Sequence, residues 1–323
     1  MKENISEYMN NLLIKIQTLS IVAGTMACNA KCPDCVSKMT TNPSLYKGLN
    51  FTDVEWDHFD IALAMAKAGK ARAVLFTGKG ETTLFPEQIN KYLLKLPDKL
   101  GEIYIGKEIQ TNGIIFQNPK FTQDEWLKEW RNNGLDTISL SVVDVDDEVN
   151  RKFYLSHQEK YPELVKTINM IHNEGYKVRL SVTMIKNMVD GPDDIERVVE
   201  YCKKEGIEQL SVRPMRKPGG DTYCPSVAQF VLENELSRGE EEEVVRYVEA
   251  NKDQVIERLM HGAVIYKLKG QNICLTDCIT ERPKEVGSRQ LIFYSNGMLT
   301  DGWTENANTI LGIGPKCREY LKK

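Results

Sequence analysis

The sequence predicts an α/β chain whose larger part is a partial (β/α)6 barrel. Three observations predict it: six short apolar strands alternate with helical patterns between about residues 16 and 214, capping residues and glycines punctuate the helices, and the later strands are apolar on one face only. The first strand, Ile16–Val22, leads through a cysteine-rich loop to a helix announced by Thr52-Asp53-Val54-Glu55. In such a capping box the hydroxyl and the carboxylate satisfy free backbone donors at a helix start. Trp56, Phe59 and Leu63 recur at helical spacing and bury one face, and Gly69 is expected to end the helix in a left-handed conformation. The second strand is Ala73–Thr77 and the third Ile103–Gln110. Thr122-Gln123-Asp124-Glu125 reads as a second capping box, closed by Gly134 before the fourth strand, Thr137–Val143. Leu164, Ile168 and Ile171 mark the next helix, ended by Gly175; the fifth strand is Lys177–Met184. Ile195, Val198, Val199 and Cys202 share an apolar helix face, which makes Cys202 a core residue; Gly206 then precedes the sixth strand, Gln209–Arg213. Strands alternating with helices imply parallel pairing and right-handed crossovers.

The strand faces select the architecture. Ile138, Leu140 and Val142 oppose Thr137, Ser139 and Ser141; Val178, Leu180 and Val182 oppose Arg179, Ser181 and Thr183; Leu210 and Val212 oppose Gln209, Ser211 and Arg213. A doubly wound sheet would be apolar on both faces, and a closed barrel would fill its interior with Val, Ile and Leu. An incomplete barrel with a polar lumen satisfies the pattern.

The rhythm changes after Pro214. An acidic helical region containing Glu240–Glu243 reads as a solvated face. Val264–Leu268 and Ile273–Thr276 flank a turn at Lys269-Gly270-Gln271-Asn272, and Gln290–Tyr294 and Met298–Trp303 flank Asn296-Gly297. Both are hairpin signals. A last short helix carries Cys317. The expected division is an N-terminal helix at 1–15, the barrel at 16–214, and a small hairpin-plus-helix extension at 215–323 that closes the lumen.

With 323 residues, 41% hydrophobic and 27% charged, the composition is that of an ordinary globular protein. A net charge of −4 gives no electrostatic case for nucleic acid or an anionic membrane as main partner. No stretch approaches the roughly eighteen apolar residues of a membrane span, and Glu3 and Glu7 stand where a signal sequence would be basic and then apolar. The chain is expected in the cytoplasm, where eight cysteines read as metal or redox ligands rather than as a disulfide framework.

Cys28, Cys32 and Cys35 fall within eight residues, directly after the first strand. Three thiolates leave a metal or cluster one position open for a non-protein ligand. A zinc knuckle is the bland alternative, but no nearby histidine is spaced to complete it. The second strand ends in Phe76-Thr77-Gly78-Lys79-Gly80-Glu81-Thr82-Thr83-Leu84, where a glycine-rich turn lets backbone approach a ligand and a carboxylate can accept from an ammonium group. The third strand ends in Gln110-Thr111-Asn112-Gly113.

This combination resembles the radical S-adenosylmethionine (SAM) superfamily over about residues 16–214. The resemblance implies a TIM-like partial barrel and a [4Fe-4S] cluster on Cys28, Cys32 and Cys35, with the amino and carboxylate groups of SAM on the fourth iron. It implies reductive cleavage of SAM to methionine and a 5′-deoxyadenosyl radical that abstracts hydrogen from the substrate, with a one-electron reductant such as flavodoxin or ferredoxin. It assigns Thr77, Gly78, Gly80 and Glu81 to the glycine–glutamate motif that recognises the methionyl amino group, although Thr82 stands where the family often has proline. Thr111 and Asn112 match a run placed near SAM, and Ser139 and Ser141 match positions that hydrogen-bond its ribose or carboxylate. Arg179 and Arg213 can clamp a carboxylate or phosphate, or form structural salt bridges.

Cys274, Cys278 and Cys317 resemble, in order but not in spacing, the ligands of an auxiliary cluster in twitch/SPASM-type members and in the GTP cyclase that begins molybdopterin synthesis. A second iron–sulfur cluster and free buried thiols are both open readings. Cys224 can be a fourth ligand or a thiol that returns a hydrogen atom to a substrate radical. Arg213, Arg216 and Lys217 at the lumen's exit favour an anionic small molecule such as a nucleotide or sugar phosphate. A peptide is the rival substrate, disfavoured because no leader-binding domain fits before the first strand. A non-catalytic iron–sulfur or zinc protein is the reading from a different class.

Overall fold

The computed structural model describes residues 15–40, 53–219, 222–259, 262–276, 287–303 and 307–314. Six strands appear in chain order as expected: β1 (Lys15–Val22), β2 (Ala73–Thr77), β3 (Gly106–Thr111), β4 (Thr137–Val142), β5 (Lys177–Met184) and β6 (Gln209–Pro214). The helices are α1 (Val36–Thr40), α2 (Trp56–Ala68), α3 (Pro86–Lys95), α4 (Pro119–Gln123), α5 (Trp126–Asn132), α6 (Asp147–Tyr154), α7 (Leu164–Asn173), α8 (Pro192–Lys204), α9 (Pro225–Asn234) and α10 (Arg238–Asn251). After them come β7 (Lys252–Arg258), β8 (Val264–Leu268), β9 (Gln271–Leu275), β10 (Gly287–Tyr294), β11 (Leu299–Thr300) and β12 (Thr309–Leu311).

All twelve described strands form one sheet in the order β12-β11-β10-β1-β2-β3-β4-β5-β6-β9-β8-β7. The two expected hairpins are present, β8 with β9 and β10 with β11. Their placement is what the sequence did not reveal. Rather than standing apart, β9 adds in parallel to β6 and β10 adds in parallel to β1, so eight parallel strands run side by side and the sheet continues across position 214. The sheet also curls. Arg72, just before β2, makes a two-pronged ion pair with Glu257 of edge strand β7 at 2.6 and 3.3 Å, although seven steps of the strand order separate β2 from β7.

The helix-facing side is packed with Leu19, Ile21, Phe76, Ile109, Leu140, Leu180 and Val212 against Phe59, Tyr92, Trp130, Ile168 and Val198, all at 1% exposure or less. Cys202 is core, as read. At the β1/β10 seam Phe59 meets Tyr92 and Phe293 edge-on at 5.0 and 5.2 Å. Tyr92 Oη lies 3.1 Å from Ser295 Oγ, which donates to the Val22 carbonyl. Such aromatic pairs add about 0.5–1.5 kcal/mol each beyond area burial, and they attach a late strand to the first one.

Several local expectations are corrected. The third strand begins at Gly106, not Ile103; Ile103 and Ile105 are 67% and 58% exposed, so their apolar character was misleading. Gly106 (φ 129°) is pressed against Asp136, where a Cβ would lie 2.1 Å from a carboxylate oxygen, and Asp136 accepts from Lys107 N at 2.8 Å to set the strand start. The capping box expected at Thr122-Gln123-Asp124-Glu125 does not form, and Thr52 of the other lies outside the described residues. Helix α2 starts after Glu55, whose side chain does not cap it, and α4 is capped by Asn118, while Thr122 lies inside α4 and bonds back to the Phe116 and Asn118 carbonyls. A capping box stands instead at Ser237/Glu240, opening α10. Gly134, Gly175 and Gly206 are left-handed as expected, but after α2 it is Lys70, not Gly69, that takes that conformation. Within the acidic run, Glu241 is buried and pairs with Arg216.

On the lumen side the register aligns Ser141, Ser181, Ser211 and Cys274 in one row across β4, β5, β6 and β9. Below it, Arg179 bridges Glu108 (2.6 Å) and Gln209 (2.8 Å) at the amino ends of the strands, forming a polar floor. Phe293→Ala should cost about 3–5 kcal/mol through the cavity it leaves at the β1/β10 seam. Urea unfolding monitored by fluorescence should show this loss, with Phe293→Leu recovering most of it.

Candidate functional site

Parallel strands present their loops together at their carboxyl ends, and three of these loops meet here. The loop after β1 carries Cys28, Cys32 and Cys35; Cys35 caps α1, its carbonyl accepting from Lys38 N and Met39 N at 3.1 and 3.3 Å. The turn after β2 lies directly on that loop. A Cβ on Gly80 would come within 2.1 Å of the Ala27 carbonyl oxygen, so only glycine fits, and Glu81 N donates to the same oxygen at 2.9 Å.

Glu81 joins all three loops. Its carboxylate is buried, and Oε1 accepts from Thr83 N (3.0 Å), Thr83 Oγ1 (2.6 Å) and Thr111 Oγ1 (2.6 Å), while Oε2 accepts from Asn112 N (3.0 Å). Oε1 is saturated, so the acceptor left for a ligand ammonium is Oε2. Asn112 Nδ2 donates to Asn29 Oδ1 at 2.8 Å, tying the third loop back to the cysteine loop. Thr83 and Asn29 have no place in the sequence reading; their positions two residues from Glu81 and one residue from Cys28 are the only signal that marks them.

The three cysteines are free thiols, Cys28 exposed and the other two half-buried. Burial pushes the Cys28 and Cys32 thiols up, and Cys35 adds to both in the same direction. Among the described residues no three His, Cys, Asp or Glu side chains converge tightly enough to ligate one ion. A four-iron cluster would take one thiolate on each of three irons and leave the fourth iron for a non-protein ligand. Three free thiols within eight residues of one loop fit such a cluster, which would deprotonate them.

Around the triplet, Asp34 is pushed up by burial, and Arg213 is the strongest influence drawing it back. Arg213 is exposed at the carboxyl end of β6 and has no hydrogen bond or ion pair among the described residues. Lys79, between the two glycines of the turn, is 9% exposed with its Nζ over the rings of Trp303 (5.3 Å) and Tyr294 (6.0 Å). Burial lowers its pKa to about 8, and Cys35 acts in the opposite direction.

The site thus brings together Cys28, Cys32, Cys35, Gly78, Gly80, Glu81, Thr111 and Asn112. Thr77 ends β2 on the lumen side, opposite Val22, and Ser139 and Ser141 line the lumen, Ser139 buried. Arg179 is taken up by Glu108 and Gln209, the structural pairing that the sequence left open. Arg216 is taken up by Glu241 and the Leu236 carbonyl, and Lys217 donates to Pro218, so these two do not form a free basic exit. Cys224 lies at the start of α9, its thiol lowered by Ser226 and the Val227 amide, and Tyr223 N donates to Met39 O beside the cysteine loop. Cys274 is a lumen residue of β9, 3.4 Å from Thr276 Oγ1; Cys278 and Cys317 lie outside the described residues.

A family model described as the Radical SAM superfamily matches residues 22–202. No curated protein matches the chain. Among solved structures, Streptococcus suis SuiB bound to S-adenosylmethionine is similar with a TM-score of 0.59 at 16% identity, covering 95% of this chain and 66% of that one. SuiB bound to its precursor peptide SuiA is similar with a TM-score of 0.59 at 18% identity, over 95% of this chain and 65% of that one. Native anSMEcpe with bound AdoMet follows with a TM-score of 0.51 at 13% identity, over 89% and 74%. At these identities the likeness is one of fold.

Two outcomes follow from the geometry. Glu81→Gln places an amide nitrogen among donors and should cost about 1–3 kcal/mol, read as a lowered Tm. Because Cys28 and Cys32 are held protonated at neutral pH, iron must displace their protons. Apparent iron affinity should fall about tenfold per thiol for each unit of decreasing pH, measured by iron content after anaerobic loading at pH 6 and pH 8.

Proposed function

Because the chain belongs to the radical SAM superfamily, we propose that it cleaves SAM reductively and uses the 5′-deoxyadenosyl radical to abstract hydrogen from a small anionic molecule in its lumen. The supporting observation is the loop junction at Glu81, which holds the cysteine triplet and the turns after β2 and β3 in one rigid unit. When bound on Cys28, Cys32 and Cys35, a [4Fe-4S] cluster supplies the electron that splits the SAM sulfonium bond. Glu81 Oε2 accepts from the methionyl ammonium, and the glycines at 78 and 80 keep side chains out of its way. Ser139 and Ser141 offer hydroxyls to the ribose or carboxylate.

Arg213 supports the anionic substrate. It is the guanidinium of that basic group that remains exposed and without a hydrogen bond or ion pair among the described residues, and its charge acts on Asp34 of the cysteine loop. A carboxylate or phosphate there would gain a charge-assisted, two-pronged contact. The second reading, a peptide substrate, is favoured by one observation: the likeness to SuiB, solved with its precursor peptide, extends over 95% of this chain. An auxiliary cluster on Cys274, Cys278 and Cys317 and a hydrogen-donor role for Cys224 belong to the same proposal as its finer parts.

Anaerobically reconstituted protein should hold about four irons per chain for one cluster, about eight if the auxiliary one exists, and should release 5′-deoxyadenosine from SAM under dithionite. Cys32→Ala should abolish release, and persistent turnover in that variant would sink the mechanism. Deuterated nucleotides or sugar phosphates should pass label into 5′-deoxyadenosine, and Arg213→Gln should weaken that transfer about tenfold or more. Label arriving only from peptides would favour the second reading.

A further inference from the structure

Lys79 is a buried cation with no assigned task. Its backbone is fixed twice over. Gly80 abuts the Met26 and Ala27 backbone, and Gly78 is confined by the Ala23 and Gly80 carbonyls and by Thr82 Oγ1. The side chain then crosses to the late hairpin, where Trp303 and Tyr294 present their ring faces to its ammonium and pack on one another at 6.4 Å. These rings belong to a small apolar patch with Val22, Ile292 and Met298 on the lumen side of the β1/β10 seam.

Nine-tenths burial of an ammonium is costly unless an anion compensates it. Aromatic faces return about 0.5–2 kcal/mol, less than an ion pair in such surroundings. Among the described residues no carboxylate pairs with Lys79 and no acceptor hydrogen-bonds it. The ionisable group whose charge acts on it is Cys35. The ammonium is thus held under two aromatic rings, on a turn whose second glycine abuts the backbone just before Cys28.

We propose that Lys79 is a positioning residue whose positive charge at the cysteine loop stabilises the anionic iron–sulfur cluster and raises its reduction potential, with Trp303 and Tyr294 holding the ammonium in place. This rests on the cluster reading of the cysteine triplet. Adding one electron makes a thiolate-ligated cluster more negative by one charge, so a nearby cation favours the reduced state, and net charge is among the factors that set such potentials. Thermodynamically, the tie also couples the late hairpin to the redox state of a site that lies in the first third of the chain.

The test is an EPR-monitored reductive titration of the reconstituted full chain, with SAM and substrate omitted, on wild type, Lys79→Met, Lys79→Gln and Lys79→Arg. Removing the charge should lower the reduced-to-oxidised ratio about tenfold at a given poise, a shift of about 59 mV to more negative midpoint for a one-electron couple; Arg should restore the wild-type value. If Met and Gln variants lose the cluster while Arg retains it, the requirement for a cation is upheld directly. Full iron content with an unchanged midpoint in Lys79→Met would overturn the proposal, as would equal loss of iron in all three variants, which would make Lys79 a folding residue. A wild type that loads no cluster would instead refute the reading of the triplet, an outcome separate from these.

Discussion

The buried carboxylate of Glu81 is the constraint on which the rest of the site depends. Four donors from the turns after β2 and β3 converge on it, and its own amide reaches the cysteine loop after β1. Charge-assisted hydrogen bonds of this kind are about twice as strong as neutral ones, and burial protects them from competition by water. Each loop alone would be an exposed connection free to wander. Joined at one carboxylate, they become a single surface on which three thiols, a glycine turn and an asparagine hold fixed relations. The cost is that Glu81 has only part of its acceptor capacity left for a ligand.

The barrel beneath explains why those loops are neighbours at all. Parallel strands in sequence order bring successive carboxyl ends together, and the helix-side core fixes the strands to within one register. The lumen divides into two walls. Hydroxyls from β4, β5 and β6 with Cys274 of β9 form the polar side, and Val22, Ile292, Tyr294 and Trp303 form the apolar side at the β1/β10 seam. In the proposed reaction such a boundary would suit a radical, with water kept off the apolar side and hydroxyls offered on the polar side. Arg179, Glu108 and Gln209 seal the opposite end by neutralising one another.

The late part of the chain is part of the barrel's structure. Two hairpins each lend one strand to an edge of the barrel sheet, and Phe59, Tyr92 and Phe293 lock the second of them to the first strand. Arg72 and Glu257 then connect β7 to the start of β2, across the curl of the sheet. Edge strands left bare would invite association with other chains, and parallel addition covers both edges of the six-stranded core.

What the sequence by itself determined was everything encoded by local pattern. Two-residue alternation marked the six strands and their polar face, the spacing of Cys28, Cys32 and Cys35 put three thiols on one loop, and the glycines at 78 and 80 marked a turn that approaches its neighbour closely. It erred where a local signal was outweighed by neighbours distant in the chain. Ile103 and Ile105 look like strand residues, yet Asp136 sets the strand start at Gly106. Glu241 looks solvated until Arg216 reaches it, and Arg216 and Lys217 look like an anion site until their partners appear. Only the tertiary structure decided that β9 and β10 flank the barrel, that Arg179 is a floor rather than a clamp, and that Lys79 rests under two rings more than two hundred residues away in the chain. Those outcomes depend on which charges and faces meet across the fold, and no periodicity within a strand or helix records that.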